Sequence, residues 1–206
     1  MKKLLIATSN PGKFAELSKF LIDLPLKFVS LKDNGITQVV EETGKTFEEN
    51  ALIKAKYYCQ ISGLPTLADD GGAEIDVLNG EPGVKTRLWI FGDRDSTDQE
   101  LIDYTLKRLK GVPKEKRGMQ LSLVLALKFP GGTVYTAQDK IRGEVAQKPQ
   151  GHAYEGFPFR RLMIIPEIGK FYNYDLLTDE ENFKFNHRRR AVESLKPILV
   201  KTLLSC

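Results

Sequence analysis

Hydrophobic positions follow strand and helix periods in turn, beginning at the first residues of the chain. Residues 4–7 form a short apolar run that predicts a buried strand, and the turn-rich residues 8–12 follow it. A helix is expected from about Lys13, where Phe14 and Leu17 mark an apolar face. A strand, a loop and a helix in this order are typical of α/β proteins.

Two capping boxes mark the starts of further helices. Thr46 and Glu49 have the spacing of a capping box and predict a helix over residues 47–62. Thr97 and Glu100 repeat this spacing before a second periodic apolar segment. Helices therefore alternate with strand-like segments, which favours the α/β class.

Strand-like segments account for most of the remaining apolar pattern. The run at residues 64–68 ends at a pair of aspartates, which indicates a strand end there. Alternating leucines over residues 121–127, a Pro-Gly-Gly turn and residues 133–137 predict a β-hairpin, and residues 140–146 would add another strand. The final segment has helical character, but Pro197 must kink it or start a new helix.

Composition and charge fit an ordinary globular protein of 206 residues, with 41% hydrophobic and 28% charged residues. The net charge of +4 is no argument for nucleic-acid binding. Cys59 and Cys206 lie in no metal-binding or disulfide pattern, which fits a reducing compartment. The opening apolar run is too short for a signal peptide or a membrane span. We expect a cytoplasmic protein with one domain over residues 1–206, without nucleic-acid or membrane partners.

A glycine-containing loop at residues 9–16 is the first candidate for chemistry. Between a strand and a helix, such a loop presents backbone N–H groups and a helix N-terminus to an anion, and Lys13 adds a positive charge. The loop lacks the spacing of the common phosphate-binding loop. A plain turn with a solvated lysine is therefore the alternative interpretation.

Two acidic pairs are the second candidate. Glu41 and Glu42, like Asp69 and Asp70, stand at the edge of an apolar element. Mg²⁺ prefers carboxylate, phosphate and water oxygens, and a carboxylate near the metal can accept a proton from attacking water. Solvated loop acids or helix caps are the alternative.

A basic run beside aromatic residues, at positions 183–190, is the third candidate. It could bind a nucleotide or RNA, or it could be a charged helix face. His187 in this run could equally have a structural role.

Taken in order, these stretches resemble the inosine triphosphate pyrophosphatase (ITPase) family, which hydrolyses non-canonical purine nucleoside triphosphates. The family motif T-[SG]-N-x-x-K-x-x-E stands at residues 8–16, and E-T-G-x-T-F-x-E-N-A-x-x-K-A stands at residues 42–55. The motif L-A-D-D-S-G-L-E-V-D-A-L stands, with changes, at residues 67–78. The resemblance covers nearly the whole chain. It implies an elongated α/β fold with a mixed central sheet flanked by helices, two lobes with a substrate cleft between them, and a homodimer.

The resemblance also implies roles for individual residues in cleaving ITP, dITP or XTP between the α- and β-phosphates. Glu42 and Asp70 would bind Mg²⁺, with Mn²⁺ as the alternative cation. Asp70 would accept the proton of the attacking water, with Asp69 close by. Lys54 would assist a phosphate-binding loop. The members of that loop are Thr8, Ser9, Asn10, Pro11, Gly12 and Lys13.

The chain departs from the family pattern in the part that recognises the base. Gly71 stands in place of a serine, Leu88 of an arginine, Arg160 of an aspartate and Asn182 of a lysine. An arginine offers donors where an aspartate offers acceptors, so the accepted base should change. The residues carried over to base and sugar recognition are Gly71, Phe157, Pro158, Phe159, Arg160, Asn182, His187 and Arg188.

These departures leave three hypotheses about function. The first is hydrolysis of the non-canonical purine triphosphates to the monophosphate and pyrophosphate. The second is the same reaction on a different or modified nucleotide. The third is a nucleotide-binding protein without turnover, although the retained carboxylates argue against it.

Overall fold

A computed structural model describes residues 1–204, so Cys206 lies outside the described residues. The chain divides into two compact units. Unit 1 contains Met1–Gly71, Leu123–Asp139 and the segment from His187 onward, and unit 2 contains Gly72–Ser122 and Lys140–Asn186. The expectation of one domain over residues 1–206 stays a prediction. None of the helices over residues 1–204 is long and apolar enough to cross a membrane.

The opening strand–loop–helix unit is confirmed. Strand β1 is Lys2–Ala7, helix α1 is Pro11–Phe20 and strand β2 is Leu26–Ser30. Helix α1 begins two residues before the expected position. The side-chain oxygen of Asn10 accepts the N–H of Lys13 at 3.1 Å, and a proline suits the first helical position.

Helix α2 spans Phe47–Ser62, as predicted from its capping residues. The Thr46 hydroxyl accepts the N–H of Glu49 at 3.1 Å, while the Glu49 carboxylate accepts the N–H of Lys45. At the other end Gly63 has a φ of 66°, a left-handed conformation in which glycine carries no steric penalty.

Strand β3 is Thr66–Ile75, and this corrects the expectation that a strand ends before the aspartate pair. The strand runs through Asp69 and Asp70 and on past the two glycines. Beyond the glycines the alternation of buried and less buried residues resumes, as the full burial of Ala73 and Ile75 shows. Polar residues within the strand concealed this continuity in the sequence.

The predicted hairpin is confirmed, but its second strand is longer than expected. Strand β4 is Gly118–Lys128 and strand β5 is Val134–Val145. Residues 140–145 therefore extend β5 and do not form a separate strand. The remaining elements are α3 (Asp98–Arg108), β6 (Met163–Ile165), β7 (Lys170–Phe171), α4 (Asp179–Phe185) and α5 (His187–Leu199).

Helix α5 passes through Pro197, so of the two expected alternatives, a kink or a new helix at this proline, the new helix is wrong. The proline stands two residues before the helix end, where loss of its backbone donor affects one hydrogen bond near the terminus. A π-helical turn, Val200–Leu204, follows.

The strands form one mixed sheet in the order β2-β1-β3-β4-β5-β6-β7. Strand β1 pairs in parallel with β2 and β3, while β6 pairs antiparallel with β5 and β7. A mixed sheet with flanking helices confirms the predicted α/β class.

Alternating side chains divide the core of unit 1 between the two faces of its strands. Leu4 and Ile6 of β1 and Leu67 of β3 pack with α1 and α5, while Leu5 of β1 and Ala68 of β3 pack with α2. Successive residues of a strand point to opposite faces. The same alternation therefore decides which helix each polar residue of β3 meets.

Unit 2 has its own core, and a buried arginine joins three of its segments. Arg117 donates hydrogen bonds to the backbone carbonyls of Leu109, Val145 and Ala146 at 2.8–3.0 Å. Burial lowers the pKa of this guanidinium. A buried carbonyl that loses such a donor stays without a hydrogen bond and destabilises the folded state.

We expect Arg117→Met to lower the free energy of unfolding by about 3 kcal/mol, because three charge-assisted hydrogen bonds disappear while the carbonyls stay buried. The control is Lys116→Met, which alters an exposed neighbour and should change stability by less than about 0.5 kcal/mol. Urea unfolding of both variants measures the difference. Similar values for the two variants would contradict this role of Arg117.

Candidate functional site

The phosphate-loop candidates form a compact turn between β1 and α1. The N–H of Asn10 donates to the Thr8 hydroxyl at 3.1 Å, and the Asn10 side chain caps α1 through the N–H of Lys13. The turn therefore holds the N-terminus of α1 at the carboxyl end of β1. Backbone donors and the helix dipole make such a place favourable for an anion.

Asp69 lies in the interior of unit 1, with 2% of its surface exposed. Lys13 Nζ lies 2.9 Å from Asp69 Oδ2, and Arg188 Nη2 lies 3.4 Å from the same oxygen. Arg188 Nη1 also donates to Glu16 Oε2 at 2.7 Å. Burial acts to raise the pKa of Asp69, but the two cations and Lys54 outweigh it and lower that pKa to about 2. Asp69 is therefore held as a carboxylate.

Asp70 belongs to a second cluster, which is centred on Lys54. Lys54 Nζ lies 2.9 Å from Asp70 Oδ1 and 2.9 Å from Glu42 Oε2. Burial raises the pKa of Asp70 to about 6; Lys54 opposes this rise and the charge of Glu42 adds to it. Burial acts to lower the pKa of Lys54, but the carboxylates of Asp70, Asp69 and Glu42 raise it.

The second carboxylate oxygen of Asp70 forms no hydrogen bond with its surroundings among the described residues. Within the described part of the chain, Asp70 Oδ2 is buried and has no hydrogen-bond partner. Buried polar atoms nearly always have a partner, and a catalytic role or a bound ion is one explanation of an exception. This oxygen is therefore the best candidate in the cluster for receiving a proton or a cation.

A glycine and a buried asparagine, neither of which was singled out from the sequence, connect the loop of Glu42 to α2. The N–H of Gly44 donates to Asn50 Oδ1 at 2.7 Å, and a Cβ at position 44 would lie 2.5 Å from that oxygen. Only glycine fits without displacing Asn50. Because α2 also carries Lys54, this contact relates Glu42 to its lysine partner. Both residues lie inside the motif at residues 42–55. The sequence therefore shows their spacing, but it does not show the hydrogen bond between them.

The candidates for base recognition lie mostly in unit 2. Residues Pro158–Arg161 form a short 3-10 turn after Phe157. The Arg160 guanidinium carbon lies 4.6 Å from the ring centroid of Phe157, 4.8 Å from that of Tyr172 and 4.2 Å from that of Tyr174. Arg160 is buried, and its cation is held on aromatic faces. This placement was not expected of a base-reading arginine.

Other members of the predicted base set have structural contacts. Asn182 Nδ2 donates to the backbone carbonyls of Leu177 and Thr178 at 3.2 and 3.1 Å, at the start of α4. Gly71 lies within β3. His187 is buried at the start of α5. Contacts of these residues with a base stay predictions.

The basic run at positions 183–190 is divided between two helices, and its arginines are paired with carboxylates. Arg188 pairs with Asp69 and Glu16 in unit 1, on the face of β3 that meets α1 and α5. Arg190 forms two hydrogen bonds of 2.8 Å with Asp139. These pairs favour a structural role for the run over an RNA-binding one.

The structure thus brings together the predicted phosphate and metal residues in unit 1, in two adjacent networks. Lys13 and Arg188 meet at Asp69, while Lys54 joins Glu42 to Asp70. Each of these cations is paired with a carboxylate, and Asp70 Oδ2 is the carboxylate oxygen of this set that is buried without a hydrogen-bond partner in the described residues. This geometry is that of a polyphosphate-binding site on an α/β fold.

Comparison with known proteins confirms the resemblance. The family model described as the Ham1 family matches residues 4–198, and this chain belongs to that family. It is 38% identical over 197 residues to the dITP/XTP pyrophosphatase of Yersinia pseudotuberculosis serotype I (strain IP32953), covering 94% of this chain and 95% of the relative. It is 36% identical over 199 residues to the dITP/XTP pyrophosphatase of Bacillus subtilis (strain 168), covering 97% and 98%.

Solved structures agree with this assignment. A HAM1 protein from Coxiella burnetii has a TM-score of 0.81 and 30% identity, with coverage of 98% of this chain and 100% of that chain. The nucleoside-triphosphatase / dITP/XTP pyrophosphatase from Mycobacterium abscessus has a TM-score of 0.71 and 35% identity, with coverage of 95% and 99%.

We expect Arg188→Met to lower the free energy of unfolding by about 3 kcal/mol, because the buried carboxylates of Glu16 and Asp69 both lose a cationic partner. Arg190→Met on the same helix is the matched control, since its pair with Asp139 is 39% and 24% exposed. That control should lose less than about 1 kcal/mol. Equal losses in chemical unfolding would show that the buried network does not stabilise unit 1.

Proposed function

We propose that this protein is a Mg²⁺-dependent pyrophosphatase that hydrolyses dITP, ITP and XTP to the monophosphate and pyrophosphate. The names of its relatives support this substrate class. The observation that carries the proposal is the cluster at Lys54, where Glu42 and Asp70 converge within 2.9 Å of one ammonium group. Beside Asp70 in β3 lies Asp69, which is paired with Lys13.

The donor set of this cluster fits Mg²⁺. Over residues 1–204, no group of three or more His, Cys, Asp or Glu side chains is placed to hold a metal ion. Two carboxylates, Glu42 and Asp70, are what Mg²⁺ commonly takes from a protein, with phosphate oxygens and water completing its ligands. When bound, the cation would neutralise phosphate charge and polarise the phosphoryl group. Mn²⁺ prefers the same oxygen ligands and stays the alternative.

Asp70 is the better proton acceptor of the two aspartates. Burial raises the pKa of Asp70 to about 6, which makes it more basic than an ordinary aspartate, and its Oδ2 has no hydrogen-bond partner in the described residues. Asp69, with a pKa of about 2 and two cationic partners, is a much weaker base. We therefore assign proton transfer to Asp70 and charge balance to Asp69.

Lysines and the opening loop would hold the phosphates and the leaving pyrophosphate. Lys13 and Lys54 are each partly buried, with side chains 19% and 12% exposed, so their charges act in a weakly screened setting. The turn that includes Thr8 and Asn10 presents the N-terminus of α1. Preorganised positive charge lowers the energy of a transition state in which negative charge accumulates on the leaving group.

A homodimer and a cytoplasmic location are also part of this proposal. The homodimer rests on the family resemblance. The location is supported by Cys59, a buried cysteine outside any disulfide. Neither property enters the argument for the reaction.

We expect Asp70→Asn to lower kcat for dITP by about a thousandfold, because an amide can neither accept the proton nor replace a charged ligand. The control is Asp76→Asn, which changes an exposed aspartate just beyond β3 that pairs with Arg142. Pyrophosphate release measures activity, and thermal unfolding checks that both variants fold. Near-normal turnover by Asp70→Asn would exclude it as the proton acceptor.

A nucleotide panel separates the three functional hypotheses. With Mg²⁺, we expect kcat/KM for dITP and XTP to exceed that for the common purine triphosphates by at least about a hundredfold, because a site that hydrogen-bonds one base edge leaves buried polar groups unpaired with another. Excess EDTA should abolish the activity, and added Mg²⁺ should restore it. Better turnover of another nucleotide would favour the second hypothesis. That hypothesis is motivated by the buried Arg160, which stands where the family has an aspartate. Binding without pyrophosphate release would favour the third.

A further inference from the structure

One carboxylate fastens the turn that carries Phe157 to helix α3. Asp98 Oδ2 accepts the backbone N–H of Gly156 at 2.6 Å, across a sequence separation of 58 residues. Asp98 Oδ1 accepts Arg87 Nη1 at 2.7 Å, and the same nitrogen donates to the backbone carbonyl of Ser96 at 3.0 Å. Both oxygens of Asp98 are thus committed to groups outside α3.

Helix capping does not account for this arrangement. An acidic residue in a first helical turn is often there to favour the helix dipole. In α3 the Thr97 hydroxyl accepts the N–H of Glu100 at 3.2 Å, and the Glu100 carboxylate accepts the N–H of Thr97 at 2.8 Å. The capping box is complete without Asp98, so its carboxylate is available for contacts beyond the helix.

Phe157 is constrained at both its backbone and its ring. The preceding Gly156 has a φ of 82°, a left-handed conformation that suits glycine, and its N–H is the group held by Asp98. The N–H of Phe157 donates to the carbonyl of Tyr154 at 3.1 Å. The Arg160 guanidinium lies over the ring. The ring itself is partly exposed, so it is both oriented and accessible.

We propose that Asp98 is a positioning residue that fixes Phe157 for stacking on the base of the substrate. This inference rests on the proposed function and on the expectation that Phe157 belongs to the base-recognition set, where its partly exposed aromatic ring can stack on a base. An aromatic ring that is already held in place binds a base without the entropy cost of ordering its turn. A more mobile turn would incur this cost and therefore weaken base binding. Phosphate binding depends on residues of unit 1 and should not respond.

The decisive variant is Asp98→Asn, which keeps the size of the side chain and offers one acceptor oxygen for two donors. Loss of one charge-assisted hydrogen bond should weaken dIMP binding and raise KM for dITP, each by about tenfold, with kcat changed less than about threefold. Affinity for pyrophosphate should stay within about twofold. Calorimetry with dIMP and with pyrophosphate, together with steady-state kinetics, measures each value.

Asp103→Asn is the matched control, because Asp103 is an exposed carboxylate on the same helix that accepts Gln99 Nε2 at 2.8 Å. It should leave all four values unchanged. If Asp98→Asn lowers the thermal unfolding midpoint sharply, Arg87→Gln replaces it, since that variant frees Oδ1 and retains the bond to Gly156. Its expected effect is a loss of about threefold in dIMP affinity.

Two results would overturn the inference while leaving the proposed function intact. One is unchanged dIMP affinity in the chosen variant, and the other is a parallel loss of dIMP and pyrophosphate affinity. A wild-type protein that neither binds dIMP nor releases pyrophosphate from dITP would overturn the proposed function and, with it, this inference.

Discussion

Asp69 places a carboxylate in the interior of unit 1, and burial of such a charge is tolerated only where cations meet it. Lys13 comes from α1 and Arg188 from α5, so one charge ties both helices to β3. Glu16 neutralises the other arm of Arg188. The network contains two acids and two bases, which makes it neutral as a whole, and each member depends on the others staying in place. The fold on this face is therefore held in part by Lys13, the lysine that the proposed function assigns to phosphate binding.

The contrast between Asp69 and Asp70 follows from the pleat of one strand. Neighbouring residues of β3 point to opposite faces, so Asp69 shares the face of Leu67, with α1 and α5, and Asp70 shares that of Ala68, with α2. On the first face two cations lower the pKa of Asp69. On the second face Asp70 has one lysine, which it shares with Glu42, and its pKa is raised. Identical side chains acquire different chemistry because tertiary partners differ.

Local signals predicted local structure well. Both bounds of α2 follow from Thr46 and Gly63, since a capping hydroxyl and a left-handed glycine act within a few residues. The end of strand β3 was predicted wrongly because Asp69 within it is buried by distant partners, which the local hydrophobic period does not report. The motifs identified Lys13, Lys54 and the acids as a set. Their division into two networks depends on long-range pairing, as in the contact of Arg188 with Asp69.

Arg160 shows where a substitution in the sequence is most easily misinterpreted. Reversal of charge at a position expected to read the base suggested a new donor for that base. In the folded chain the guanidinium is buried and lies on the rings of Phe157, Tyr172 and Tyr174. A cation on aromatic faces is stabilised without facing a ligand. If Phe157 stacks on the base as we propose, this geometry favours an indirect influence of Arg160 through the orientation of that ring over direct hydrogen bonding to the base.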